Sequence, residues 1–150
     1  MTTTVDLATV ADSISKLSVS GVTIKDIDQV TDSMRMSPKT LCPRPEDYIT
    51  GLGIVADESS SQWNTLRYTL NYRYYHCAIA GGLGGLFSSY SGLLQKVTLI
   101  LAAFAKSTSL AGAMDNGKPR VAKIGPVQDP KGNWFLGCEI SIDIMQFLEA

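Results

Sequence analysis

The chain has 150 residues, 45% of them hydrophobic and 18% charged, with a formal net charge of −1. That balance supports a buried core and excludes wholesale disorder. A chain this long buries roughly 70% of its unfolded surface and needs no metal or disulfide staple. The basic excess of a nucleic-acid binder is missing. The three cysteines, Cys42, Cys77 and Cys138, lack the paired spacing of a disulfide framework, so reduced thiols in a cytosolic setting are expected. Charge is unevenly spread: residues 1–60 hold five Lys or Arg against nine Asp or Glu, and residues 61–150 hold eight against five. Opposite patches of this kind favour head-to-tail contact between copies.

The opening MTTTVDLATV lacks the basic and apolar regions of a secretory signal. Residues 4–17 predict an amphipathic helix, with Leu7, Val10, Ala11, Ile14 and Leu17 on one stripe. Thr3 or Thr4 is its expected cap, with Asp6 in the first turn. Residues 22–30 alternate Asp26 and Asp28 with Ile27 and predict a half-exposed strand. Residues 31–47, with Pro38, Pro43 and Pro45 and no period, read as an extended loop or arm. Residues 49–56 predict a short strand containing Gly51 and Gly53, and residues 57–61, DESSS, a polar turn.

The clearest strand covers residues 66–74. Leu66, Tyr68, Leu70, Tyr72 and Tyr74 share one side; Arg67, Thr69, Asn71, Arg73 and Tyr75 share the other. Residues 80–86, AGGLGGL, break it. A helix is predicted over 87–106, with Phe87, Tyr90, Leu94, Val97, Leu101 and Phe104 on one face and Leu93, Ile100 and Ala105 widening it. A stripe so broad predicts burial against a sheet and a neighbour on the flank. Residues 107–118 read as a loop. The end reads as a hairpin: strand 121–127, the turn Asp129-Pro130-Lys131-Gly132-Asn133, and strand 134–144. The expected fold is α+β: one domain over 1–150, an antiparallel-rich sheet of four to five strands, and two helices on one face.

A search for chemistry returns little. His76 adjoins Cys77, but neighbouring strand residues point to opposite faces, which opposes a nucleophile–base dyad; a rim histidine is expected. One histidine and three scattered cysteines do not have zinc-ligand spacing. The run Gly81-Gly82-Leu83-Gly84-Gly85 fails the dinucleotide pattern at Phe87 and the phosphate-loop pattern at Leu86-Phe87-Ser88. It reads as a strand-to-helix joint or a docking hinge. Glu139 and Asp143, four residues apart on a strand, lie roughly 13 Å apart and are not an acid–base pair. They are expected to be solvated or bridged to a neighbouring subunit. No catalytic, cofactor or metal residues are assigned. The candidate subunit-interface residues are Asp26, Asp28, Arg67, Arg73, Lys118, Arg120, Glu139 and Asp143.

Four stretches carry a resemblance: VDLATVADSISKL, LRYTLNYRYY, LFSSYSGLLQKVTLILAAFA and IGPVQDPKGNWFLGCEISIDIMQF. Their order resembles phage tail-terminator proteins and the adjoining neck subunits. The excursion at 31–47 departs from that layout. The resemblance implies a virion subunit, assembled in the host cytoplasm into a homo-oligomeric ring, commonly a hexamer. The ring would end tail-tube polymerisation and join the tail to the head connector. Expected partners are further copies, the tube protein and a connector or neck protein. DNA would pass through the ring without sequence-specific contact, and no cofactor or membrane is involved. The alternatives are another neck adaptor and, in a different class, a small-molecule-binding α+β domain.

Overall fold

The computed structural model describes residues 6–30, 36–59, 63–79, 83–106 and 116–148. Side chains are not described at 49–50, 54–65, 83–86, 106, 116–118 or 146–148. The first element is helix α1, Leu7–Ser15. Asp6 is its cap: one carboxylate oxygen accepts from the Thr9 amide at 2.8 Å and the Thr9 hydroxyl at 3.0 Å. Thr3 and Thr4 lie outside the described residues. Nine residues do not hold a helix in water. α1 persists because Val10 and Ile14, one turn apart, are buried completely against the sheet.

The strand expected over 22–30 is only β1, Thr23–Ile24. A 3₁₀ turn follows at Ile27–Gln29, where Asp26 and Gln29 form a capping box. The Asp26 amide donates to Gln29 Oε1 at 2.9 Å. Local side-chain capping therefore wins over the short alternation. The arm expected at 31–47 is a second correction. Residues 31–35 lie outside the described residues, but β2, Thr40–Pro43, pairs with both β1 and the long central strand. Helix α2, Pro45–Thr50, follows with proline in its first turn. Proline suits both places: the end of a strand and the first helical position, where an amide is not needed.

The remaining elements are β3 at Ile54–Ser59, β4 at Trp63–Ala78, α3 at Leu83–Lys106, β5 at Asn116–Gln128 and β6 at Trp134–Leu148. β4, α3, β5 and β6 run beyond their sequence expectations, whereas the strand expected over 49–56 begins only at Ile54, because residues 49–50 belong to α2. The turn placed at 57–61 is strand as far as Ser59, and the break at 80–86 is already helix from Leu83. The loop placed at 107–118 is strand from Asn116.

Five strands lie in the order β1–β2–β4–β6–β5, with β3 beside the first half of β4. All pairings are antiparallel except β1 with β2. The fold is α+β, as expected, with an open sheet. β4 and β6 form its spine, in register from Asn64–Leu148 to Ala78–Phe135. Gly137 lies on that spine, and a Cβ there would overlap the Tyr74 carbonyl oxygen.

The main core lies between one sheet face and helices α1 and α3. Tyr68, Leu70, Tyr72 and Tyr74 of β4 and Leu136, Cys138, Ile140, Ile142 and Ile144 of β6 meet Val10, Ile14, Leu93, Val97, Ile100 and Phe104. The alternation in β4 and β6 predicted these faces. Each fully buried aliphatic side chain contributes about 1.5–3 kcal/mol. A second core sits on the opposite face, where Met36, Cys42, Tyr75, Val127 and Phe135 are buried. Tyr75 meets Phe135 edge-on, with centroids 5.3 Å apart, and donates its hydroxyl proton to the Gln128 carbonyl at 3.2 Å. Tyr75, on the side of β4 read as its polar face, is thus buried within the chain.

Candidate functional site

Helix α3 buries one face and turns an uncharged face outward, with apolar side chains exposed at the margins of that face. Leu93, Val97, Ile100 and Phe104 recur at helical spacing and are buried. Tyr90, Leu101 and Ala103 flank them, partly buried. Phe87 and Leu94, expected in the core, instead face outward. Phe87 is 68% exposed and Leu94 49%. At 100° per residue, Phe87 and Leu94 follow one margin of the outer face, while Leu99, 43% exposed, follows the other. Ser91, Gln95, Thr98 and Ala102 lie between them. None of the exposed α3 residues whose side chains are described carries a charge. Lys96 is half-buried and donates to the Ser20 carbonyl at 2.7 Å. A surface helix ordinarily turns a charged face to water, and α3 does not.

The opposite sheet face has the contrary character. Arg73, expected on an outer interface, is buried and held within the chain. Its guanidinium donates to both Glu46 oxygens at 2.8 and 2.6 Å, to Glu139 at 2.8 Å and to the Gln128 carbonyl at 3.1 Å. Burial opposes its charge, but the bonds to Glu46 and Glu139 outweigh that and hold its pKa above the usual arginine value. Glu139 thus bridges inward, and Arg44 stands 3.7 Å from its second oxygen. Asp143 accepts from Thr69 at 2.7 Å and from Arg120 at 3.0 Å. The two carboxylates expected to be solvated or bridged to another subunit therefore find partners across β4 and β5. The Arg120–Asp143 pair is about half exposed on each side, so solvent screening leaves it little weight in stability.

The other candidates are dispersed. Asp26 is turned into its own capping box, and Asp28 is exposed on the same 3₁₀ turn. Arg67 is exposed on β4, and Lys118 stands in register with Asp143. The structure therefore joins Arg73 with Glu139 and Arg120 with Asp143, and places Asp26 and Asp28 on the 3₁₀ turn instead.

A pocket of about 430 Å³ opens beside Arg73, lined among others by Glu46, Lys123, Trp134 and Glu139. Glu46 and Glu139 already engage the guanidinium at its floor. A smaller apolar pocket of about 170 Å³ lies between α1, α2 and β4. The thiols of Cys42 and Cys138 are pushed up to about 12 by burial, which keeps them protonated and unreactive. Among the described residues, no group of three or more His, Cys, Asp or Glu side chains could hold a metal ion, and no helix is long and apolar enough to cross a membrane. His76, expected at a rim, is buried beneath α3. No family model matches the chain, and no curated protein matches it.

Sequence reasoning missed the outward position of Phe87 and Leu94. One signal was available. Apolar residues at 87, 93, 94, 97, 99, 100, 101 and 104 cannot all share a single face.

Proposed function

We propose that this chain is a structural virion subunit. Copies associate through the outer face of α3 into a ring at the head-proximal end of a phage tail, ending tube growth and receiving the head connector. The observation that carries the assembly reading is the uncharged outer face of α3, with Phe87 68% and Leu94 49% exposed. Leaving such side chains in water forgoes about 25 cal/mol for each Å² of apolar surface. The assignment to a tail ring rests on the layout resemblance. Heterologous contacts between identical subunits close into a ring when the rotation per subunit suits it.

Native mass spectrometry of the purified chain, alone and mixed with tail tubes, tests both parts. The expected result is a single closed oligomer that caps tube ends in negative-stain images. The double variant Phe87→Glu/Leu94→Glu should shift the oligomer to monomer with its thermal midpoint retained, because neither side chain belongs to the core. A wild-type monomer at all concentrations, with or without tubes, would reject the assembly reading. An oligomer that ignores tube ends but binds a connector would favour the neck-adaptor alternative.

A further inference from the structure

The chain has one histidine, and no role described above uses it. His76 is the extra residue of a bulge in β4, where the register with β6 shifts between Tyr75 and Cys77. It is 8% exposed. Its Nδ1 lies 2.9 Å from the Tyr74 hydroxyl. Its Nε2 faces Gly92 of α3 so closely that a Cβ at that glycine would come within 3.2 Å. Gly92 is the place where the helix passes over the ring, and it has no side chain to accept a proton.

The surroundings are cationic. Lys39 precedes Thr40, the register partner of Tyr75, so it extends toward His76 from β2. Lys96 lies one turn beyond Gly92 on the same side of α3. The other nearby titratable groups are Tyr74 and Cys77 of β4 and Cys138 of β6, all neutral. No carboxylate among the described residues acts on the ring, while burial, Lys39 and Lys96 all hold its pKa below the ordinary 6.5.

We propose that His76 is an acid-responsive latch beneath α3: taking up a second proton releases the Gly92 turn of the helix from the sheet. The neutral ring satisfies one nitrogen through Tyr74 and packs the other against glycine. The imidazolium carries an N–H on both nitrogens, one of them toward a helix turn whose glycine offers no side-chain acceptor, and it would place a third cation between two lysines. The inference stands on this packing alone and does not depend on the assembly reading.

The test follows the imidazole of the full chain by NMR, where a sole histidine makes the assignment unambiguous. Amide exchange along α3 is measured in parallel between about pH 7.5 and about pH 5, corrected for intrinsic rates. The wild-type ring should titrate below 6.5. Amides around Gly92 should lose protection about five-fold more on acidification in the wild type than in His76→Gln. Lys39→Glu, at an exposed position, supplies the missing carboxylate, and should raise the imidazole midpoint and reduce the loss. It also preserves the test if His76→Gln does not fold. A wild-type midpoint at or above 6.5, an equal acid response in His76→Gln, or no upward shift in Lys39→Glu would overturn the proposal.

Discussion

At the scale of single residues, two buried polar groups illustrate opposite solutions. The Tyr72 hydroxyl is enclosed, with the ring edge-on to Phe104 at 5.9 Å, and finds no hydrogen-bond partner among the described residues. Burying a hydroxyl without a partner costs about 1–3 kcal/mol. Tyr72→Phe is therefore expected to raise stability by about 1 kcal/mol in urea unfolding. A loss of that size would mean that the hydroxyl is satisfied. Asp129, by contrast, is fully engaged. Its carboxylate accepts from the Met36 amide at 3.0 Å and from the Asn133 amide at 2.7 Å, tying the chain ahead of β2 to the hairpin turn. Burial alone would raise its pKa; the bonds from Met36 and Asn133 prevail and hold it below the ordinary 3.8. The ionised form thus stabilises the fold fully above 3.8, and that contribution fades as pH falls below it. Asp129→Ala should cost about 2–3 kcal/mol at neutral pH. The gap from wild type should narrow on acidification below 3.8. The window is separate from that of His76, whose lowered pKa removes stability as pH falls through 6.5. The turn that Asp129 closes was legible in Asp-Pro-Lys-Gly-Asn. Its bond to Met36 was not, because nothing local links positions 93 residues apart.

Among the elements, legibility followed regularity. β4 and β6 were readable because strict alternation fixes which side chains turn inward. β2 and α2 were hidden by their prolines, which suggested a loop. Each proline instead occupies a boundary where a missing amide is harmless. α3 was readable as a helix, but its facing was only partly so, since apolar Phe87, Leu94 and Leu99 spread past the margins of the buried face. Edge strand β5 has a protective pattern. It carries Pro119 and Pro126, a bulge between Val121 and Lys123, and exposed Arg120 and Lys123. A proline in a paired strand turns its missing amide away from the partner, so these prolines interrupt the free side of β5. The double variant Pro119→Thr/Pro126→Thr should aggregate faster on mild heating, as followed by light scattering, with an unchanged circular dichroism spectrum beforehand. Aggregation at the wild-type rate would show that the prolines do not guard this edge.

For the whole molecule, the candidate interface residues were only partly informative, and the reason is physical. Arg73, Glu139, Arg120 and Asp143 look in sequence like groups awaiting a partner. Cross-strand pairing supplies that partner inside the chain, and a one-dimensional reading cannot see a register. The charge asymmetry between the two parts of the sequence is consequently spent in part within the chain, where Glu46 of the first part meets Arg73 of the second at 2.6 Å. The uncharged side of α3 remains as the surface that asks for company.

The register of β4 with β6 also governs how the protein comes into being. The first half of the spine, with β2 and β3 alongside, is synthesised early, yet its tyrosine-rich face has no second half until residues 134–148 are made. Contacts between such distant stretches form slowly. From the completion of β4 until β6 is made, the nascent chain thus holds an unmatched strand, a hazard that shielding by a chaperone would relieve. Loss of even the final strand would leave not a smaller stable protein but an unzipped one.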